Sequence, residues 1–180
     1  MTDVLFLNPN TSKKIYQDLS NKYTAIEPPT WSLLLAKSCM SRGFKVKILD
    51  CNAENLNNHE IYDRIIDINP RLICFVVYGQ NVNAGTTSMT GSTELSVFLK
   101  EKKINSLISY VGSHVQALPI QTLKKEKSID FVFTNEGVYA LWNVLKIKNI
   151  SIDNIKNIKG IAYRNSDDEI VFNKTEIVVP

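Results

Sequence analysis

Short apolar runs rich in β-formers alternate with helix-patterned stretches along most of this 180-residue chain. That alternation restricts the fold more than any other feature, because it is the signature of strands joined by crossover helices. Val4-Leu5-Phe6-Leu7 is a continuous apolar run, as expected for a strand buried on both faces. It stops at Asn8-Pro9-Asn10. Thr30 is a plausible N-cap for a helix beginning Trp31-Ser32-Leu33-Leu34-Leu35, with Arg42-Gly43 at its far end. Val46–Asp50 reads as a second strand, and Ile61, Ile65 and Ile68 fall at helical spacing before Asn69-Pro70. Leu72–Val77 is the central strand. A loop is expected from Tyr78 to about Thr90, then a helix through Leu95, Phe98 and Leu99. Leu107–Val111 and Phe131–Phe133 are strands four and five, with a short helix after Pro119 and a longer one through Leu141, Trp142 and Leu145.

The expectation is an α/β protein: a Rossmann-like or flavodoxin-like, doubly wound, parallel five-stranded sheet. Gly160–Arg164, a polar turn and Glu169–Phe172 add a C-terminal β-hairpin. Residues 1–150 form the expected domain, and 151–180 its hairpin extension.

Composition removes several classes. Lys plus Arg (21) against Asp plus Glu (18) leaves a net charge of +3, no electrostatic footprint for nucleic acid. No apolar run reaches the roughly 18 residues of a membrane helix. The N-terminus lacks a basic leader followed by an apolar stretch, so a cytoplasmic protein is expected. Cys39, Cys51 and Cys74 stand far apart, without the spacing of a disulfide framework, a zinc site or an iron–sulfur cluster.

In such a sheet, ligands bind outside the carboxyl ends of the strands. The residues there are Asn8, Pro9, Asn10, Thr11 and Ser12; Tyr78, Gly79, Gln80 and Asn81; Gly112, Ser113 and His114; and Asn135, Glu136 and Gly137. Small polar groups collect along this edge without clustered charge. No GxGxxG, GxxxxGK[ST] or Gly-x-Ser-x-Gly occurs, so dinucleotide, Walker and hydrolase-elbow chemistry lacks support. His59 is expected to be solvated at a helix start. His114 stands where a ligand would lie, although a lone histidine is more often a hydrogen-bonding loop residue. Glu136 suits the dipole of the helix that follows it. Trp31 and Trp142, with Leu neighbours at helical spacing, are expected in the core.

Taken in order, these loops resemble the N-terminal cobalamin (B12)-binding domain of B12-dependent radical S-adenosylmethionine enzymes. The matching segments are Leu7-Asn8-Pro9, Glu27-Pro28-Pro29, Gly43 to Asp50, Val111-Gly112-Ser113-His114 with Leu118-Pro119, Ile129 to Gly137, and the late Gly160-Ile161-Ala162-Tyr163-Arg164. Ser113 replaces the family's second glycine, and Asn135 and Val138 replace its usual glycine and second acid around Glu136-Gly137. The Cys-x-x-x-Cys-x-x-Cys run that holds a [4Fe–4S] cluster is absent, so no iron–sulfur cluster is expected in this chain.

The resemblance implies a cobalamin-binding module serving a radical S-adenosylmethionine catalytic domain, in cis or in trans, and not catalytic by itself; a methyltransferase or related enzyme is the expected setting. Cofactor contacts are expected from Asn8, Pro9, Tyr78, Gly79, Gln80, Asn81, Gly112, Ser113, His114, Glu136 and Gly137. Methionine-synthase-like B12 domains carry Asp-x-His-x-x-Gly after strand one, whereas this chain has Asn8-Pro9-Asn10-Thr11-Ser12-Lys13. Base-off cobalamin without a protein imidazole below cobalt follows from that comparison. The nucleotide tail is expected to run into the sheet edge and the corrin to rest on the strand-end loops. A flavin- or nucleotide-binding domain on the same fold, weakly favoured by Gly85-Thr86-Thr87-Ser88, and a ligand-free interaction domain are the alternatives.

Overall fold

The apolar runs become a single seven-stranded sheet in the order β2-β1-β3-β4-β5-β6-β7. The strands are β1 (Thr2–Asn8), β2 (Val46–Asp50), β3 (Pro70–Val76), β4 (Leu107–Val111), β5 (Phe131–Phe133), β6 (Ile161–Arg164) and β7 (Ile170–Phe172). The structure, a computed structural model, describes residues 1–10, 28–78 and 82–178, with side chains from Ser88 onward in the third helix. The expected residues Gly79, Gln80 and Asn81, like Thr11, Ser12 and Glu27, lie outside the described residues.

Strands β1 to β5 are parallel, with Val4 opposite both Val46 and Leu72, and Cys74 opposite Ser109. β6 pairs antiparallel with β5, and β7 with β6. The C-terminal hairpin therefore continues the same sheet. Val4 to Leu7 and Leu72 to Phe75 are fully buried, which is why their runs are continuously apolar rather than alternating.

Helices cover both faces. On one lie α1 (Thr30–Met40), α6 (Val138–Lys146) and the short α7 (Ile152–Ile155). They bury Leu35, Cys39, Leu141 and Val144 against Phe6, Cys74 and Phe131. On the other lie α2 (Asn58–Ile68), α3 (Val82–Glu101), α4 (Ser113–Ala117) and α5 (Pro119–Lys125). Their Ile61, Ile65, Leu95, Leu99 and Leu123 pack on Leu5, Phe75 and Tyr110. Fully burying one such side chain contributes about 1.5–3 kcal/mol, so two faces of this kind form a sizeable core.

Local chemistry fixes the boundaries. The Asn57 side chain accepts hydrogen bonds from the His59 and Glu60 backbone N–H groups, and the Asn57 N–H donates to the Glu60 carboxylate, a capping box that starts α2. Asn69, at φ 47°, ends it, and Pro70 opens β3. Two boundaries differ from the sequence reading. Thr30 is the first residue of α1 rather than its N-cap, and its hydroxyl donates back to the Pro28 carbonyl at 3.4 Å. α3 begins at Val82, so most of the stretch expected as a loop up to about Thr90 is helix. The short helix expected after Pro119 is α5, and a further short helix, α4, precedes it.

Candidate functional site at the carboxyl ends of the strands

From the C-terminal end of β1 the chain leaves towards α1 on one face, and from that of β3 it passes to α3 on the other. The switch point between them is where a cleft opens in such folds. Asn8, at the end of β1, donates from Nδ2 to Asp50 Oδ1 at 2.9 Å, and the same oxygen accepts the Ala53 N–H at 3.1 Å. That side chain thus fastens β1 to the end of β2. Pro9 beside it is buried.

β3 and β4 leave the sheet in direct contact. The Val77 N–H donates to the Val111 carbonyl at 2.8 Å. A Cβ on Gly112 would stand 2.4 Å from the Val77 carbonyl oxygen, a distance no side chain tolerates. Glycine at this position is required by close backbone approach. Gly137, at φ 79°, is the left-handed residue from which α6 starts, and its N–H donates to Asn135 Oδ1 at 2.9 Å. Asn135, where the resemblance expects glycine, is therefore a turn-forming residue whose side chain is 4% exposed.

Around this edge three hydroxyls are closed off from solvent and have no hydrogen-bond partner among the described residues. They are Ser32 Oγ in the first turn of α1, Ser113 Oγ just past β4, and Thr134 Oγ1 just past β5. Two further buried groups without such a partner, Thr122 Oγ1 and Trp142 Nε1, lie within α5 and α6. Buried hydroxyls are normally satisfied, so three at the strand ends call for an explanation. A ligand that offers amide and phosphate groups to the strand ends would provide one.

Tyr78, one residue past Val77, stacks on Trp31 with ring centroids 4.4 Å apart and planes 23° apart. Burial first, and then the neighbouring Glu136 carboxylate, push the Tyr78 hydroxyl up to about 12. It stays a neutral hydrogen-bond donor across the physiological range. Trp31 is 44% exposed, and Leu33, Leu34 and Met40 on the same helix are also exposed. The expectation that Trp31 belongs to the core is therefore wrong: its Leu-rich neighbourhood hides a ring at the helix's leading end, beside the strand ends. Trp142 is half-buried, with the Arg42 guanidinium 4.2 Å above its ring. Sequence reading missed Trp31, Ser32 and Thr134. The only available signal was their placement next to Pro28-Pro29 and at the end of β5.

His114 borders a groove of about 640 Å³ between α3 and α5, together with Met89, Thr93, Leu118 and Thr122. His59 is exposed at the head of α2 and meets the edge of Phe98 at 4.9 Å. The three cysteines are buried and free. Burial pushes the Cys39 and Cys74 thiols up to about 12 and raises Cys51 as well, so they remain apolar core residues rather than nucleophiles. Among the described residues no group of three His, Cys, Asp or Glu is placed to hold a metal ion, and no helix is long and apolar enough to cross a membrane.

The fold corresponds to a known class. Residues 16–145 match the B12 binding domain family, and the chain belongs to that family. A curated relative is the anaerobic magnesium-protoporphyrin IX monomethyl ester cyclase of Synechocystis sp. (strain ATCC 27184 / PCC 6803 / Kazusa), 27% identical over 145 residues. That match covers 80% of this chain and 28% of the cyclase. Among solved structures, the radical S-adenosylmethionine methyltransferase TsrM from Kitasatospora setae, with cobalamin and a [4Fe–4S] cluster bound, superposes with a TM-score of 0.72 at 15% identity. It is matched over all of this chain and 30% of its own length. The cobalamin-dependent S-adenosylmethionine radical enzyme OxsB with aqua-cobalamin bound gives 0.69 at 19% identity, over 99% of this chain and 23% of that one. The chain thus spans less than a third of each of these relatives.

Proposed function

We propose that this chain binds cobalamin at the carboxyl edge of β1, β3, β4 and β5 and serves a radical S-adenosylmethionine catalytic domain, in the same polypeptide or in trans. The observation that carries the reading is the coincidence at one edge of the tight Gly112–Val77 backbone contact with three buried hydroxyls that have no partner among the described residues. Membership of the B12 binding domain family gives that edge a ligand of suitable chemistry, because cobalamin presents many amides and a phosphate. Ser113 and Thr134 would supply hydroxyls to those groups, and Tyr78 a neutral phenol. Asn8, Pro9, Gly79, Gln80, Asn81, Gly112, His114, Glu136 and Gly137 complete the proposed contact set. Residues 1–150 form the cofactor-binding part and 151–180 its hairpin extension.

Bound cobalamin supplies a cobalt centre able to carry a methyl group between donor and acceptor, which makes a methyltransferase or a related enzyme the setting that fits best. Neither histidine belongs to the loop after β1: His59 heads α2 and His114 borders the α3–α5 groove. The proposed binding mode is accordingly base-off, without a protein imidazole below the metal. A lower face without imidazole favours low-coordinate cobalt and so suits methyl transfer.

Absorption titrations with hydroxocobalamin and methylcobalamin test this. Binding with a spectrum free of imidazole coordination, unchanged in His114→Ala, is expected. An imidazole-type spectrum that disappears in His114→Ala would overturn the coordination, and no binding at about tens of micromolar would overturn the ligand. Thermal unfolding gives a second reading, because ligand at about 100 times its Kd adds about 2.7 kcal/mol.

A further inference from the structure

Asn135 makes two hydrogen bonds that join separate parts of the molecule. Its Oδ1 accepts the Gly137 N–H at 2.9 Å and holds the turn from which α6 starts. Its Nδ2 donates to the Glu176 carbonyl at 3.2 Å, in the extended segment that follows β7. Glu176 is held a second time, by Asn143 Nδ2 on α6, at 3.3 Å. A parallel backbone path runs beside it: the Thr134 N–H donates to the Gly160 carbonyl at 2.9 Å, and the Gly160 N–H donates to the Lys174 carbonyl at 2.8 Å. The C-terminal segment is thereby latched to the loop that carries Thr134, Glu136 and Gly137.

We infer that Asn135 is a positioning residue that couples the C-terminal segment to the cofactor edge, so that latching of residues 174–176 and cobalamin binding strengthen one another. This rests on the proposed cobalamin site. Its physical content is that a single buried amide satisfies both partners. An amide placed to meet the strap also fixes the turn at Gly137, and a free strap leaves that amide an unpaired donor. Coupling of this kind is reciprocal: whatever the strap adds to cobalamin affinity, cobalamin adds to strap protection.

Asn135→Asp separates the two bonds at neutral pH, since a carboxylate still accepts from Gly137 N–H but opposes the Glu176 carbonyl. In the ligand-free protein the Gly160 amide is expected to exchange with solvent faster, and the Gly137 amide with it although its acceptor is retained. The hydroxocobalamin Kd should rise about fivefold, the worth of one net hydrogen bond. The wild-type protein supplies an arm that needs no variant: hydroxocobalamin should slow exchange at Gly160 beyond any slowing at Phe75, whose exposure requires global unfolding. Faster Gly160 exchange in Asn135→Asp, with Gly137 exchange and Kd both unchanged, would overturn the coupling. So would wild-type protein that binds hydroxocobalamin without added protection at Gly160. Wild-type protein that fails to bind cobalamin would instead overturn the functional reading, while ligand-free exchange at Gly137 still decides whether the latch acts on the turn.

Discussion

The two ends of the parallel sheet are built on opposite principles. At the amino ends of the strands the part-buried charged groups Arg71, Asp3, Lys100 and Asp130 are paired. Arg71, at the start of β3, donates to Asp3 at 2.7 Å and to the carbonyls of Leu145, Ile147 and Lys148 at the end of α6. Asp130, just before β5, accepts Lys100 Nζ at 2.7 and 2.8 Å and the Ile108 N–H at 2.6 Å. Ser106 Oγ donates to the Pro70 carbonyl at 2.5 Å. At the carboxyl ends stand orphan hydroxyls, a backbone contact that admits only glycine, and a half-exposed tryptophan. One end closes the fold; the other leaves hydrogen-bonding capacity that the fold does not use. Binding sites occupy the second kind of surface because a ligand can complete it.

The largest test of the contrast is Arg71→Ala. Removing the guanidinium leaves the part-buried Asp3 carboxylate without its charge partner and three carbonyls without a donor. The expected loss is about 3 kcal/mol of unfolding free energy, read from urea denaturation. Cobalamin affinity of the folded fraction should be unchanged. A loss below about 1 kcal/mol would show that the amino end is not the structural one. The same contact predicts a pH dependence. Burial opposes ionisation of Asp3, but the Lys45 N–H and Arg71 outweigh it and hold the carboxyl below its ordinary value. A lowered folded value means that stability is present above the unfolded carboxylate value and is lost as pH falls through the folded one. Unfolding free energy should therefore drop below about pH 4, and Asp3→Asn should flatten that drop.

Gly112→Ala comes next. The added methyl meets the Val77 carbonyl at 2.4 Å, so β3 and β4 must separate at their ends. A cost of about 2 kcal/mol is expected, with hydroxocobalamin binding weakened more than tenfold because the ends of β3 and β4 at the proposed site move. Unchanged affinity in a destabilised protein would detach this contact from the site.

The sheet was more legible in the sequence than either of its edges. Continuous runs such as Val4–Leu7 and Leu72–Val77 signal strands buried on both faces, and Asn69-Pro70 marks a stop whose left-handed cap the structure shows. α3 was legible only in its apolar half. Its early residues Gly85, Thr86 and Thr87 have weak helix propensity, and packing of Met89, Leu95 and Leu99 on the sheet overrides it. The Arg71–Asp3 pair joins residues 68 positions apart, so no local pattern announces it. The loops at the carboxyl edge could be placed from strand order, yet whether a hydroxyl there has a partner is a property of the folded molecule alone. Ser113 and Asn135 look alike as departures from a glycine pattern. In the structure one is an orphan beside the Gly112–Val77 contact and the other a buried clamp on the turn.

The smallest effect is the sharpest, because its sign differs between the two ends. Ser106→Ala removes a hydroxyl that donates to the Pro70 carbonyl and should lower stability by about 1 kcal/mol. Ser32 is 1% exposed, and its hydroxyl has no partner among the described residues. Leaving such a group unpaired costs about 1–3 kcal/mol, and alanine removes the unpaired group at the expense of a small void. Ser32→Ala should therefore leave the ligand-free protein as stable as wild type or more stable by up to about 1 kcal/mol, while hydroxocobalamin binds several-fold more weakly. Urea midpoints of the two variants, measured side by side without ligand, decide the matter. If Ser32→Ala is destabilised as Ser106→Ala is, its hydroxyl is satisfied in solution, and the carboxyl edge holds no reserve for a ligand at that position.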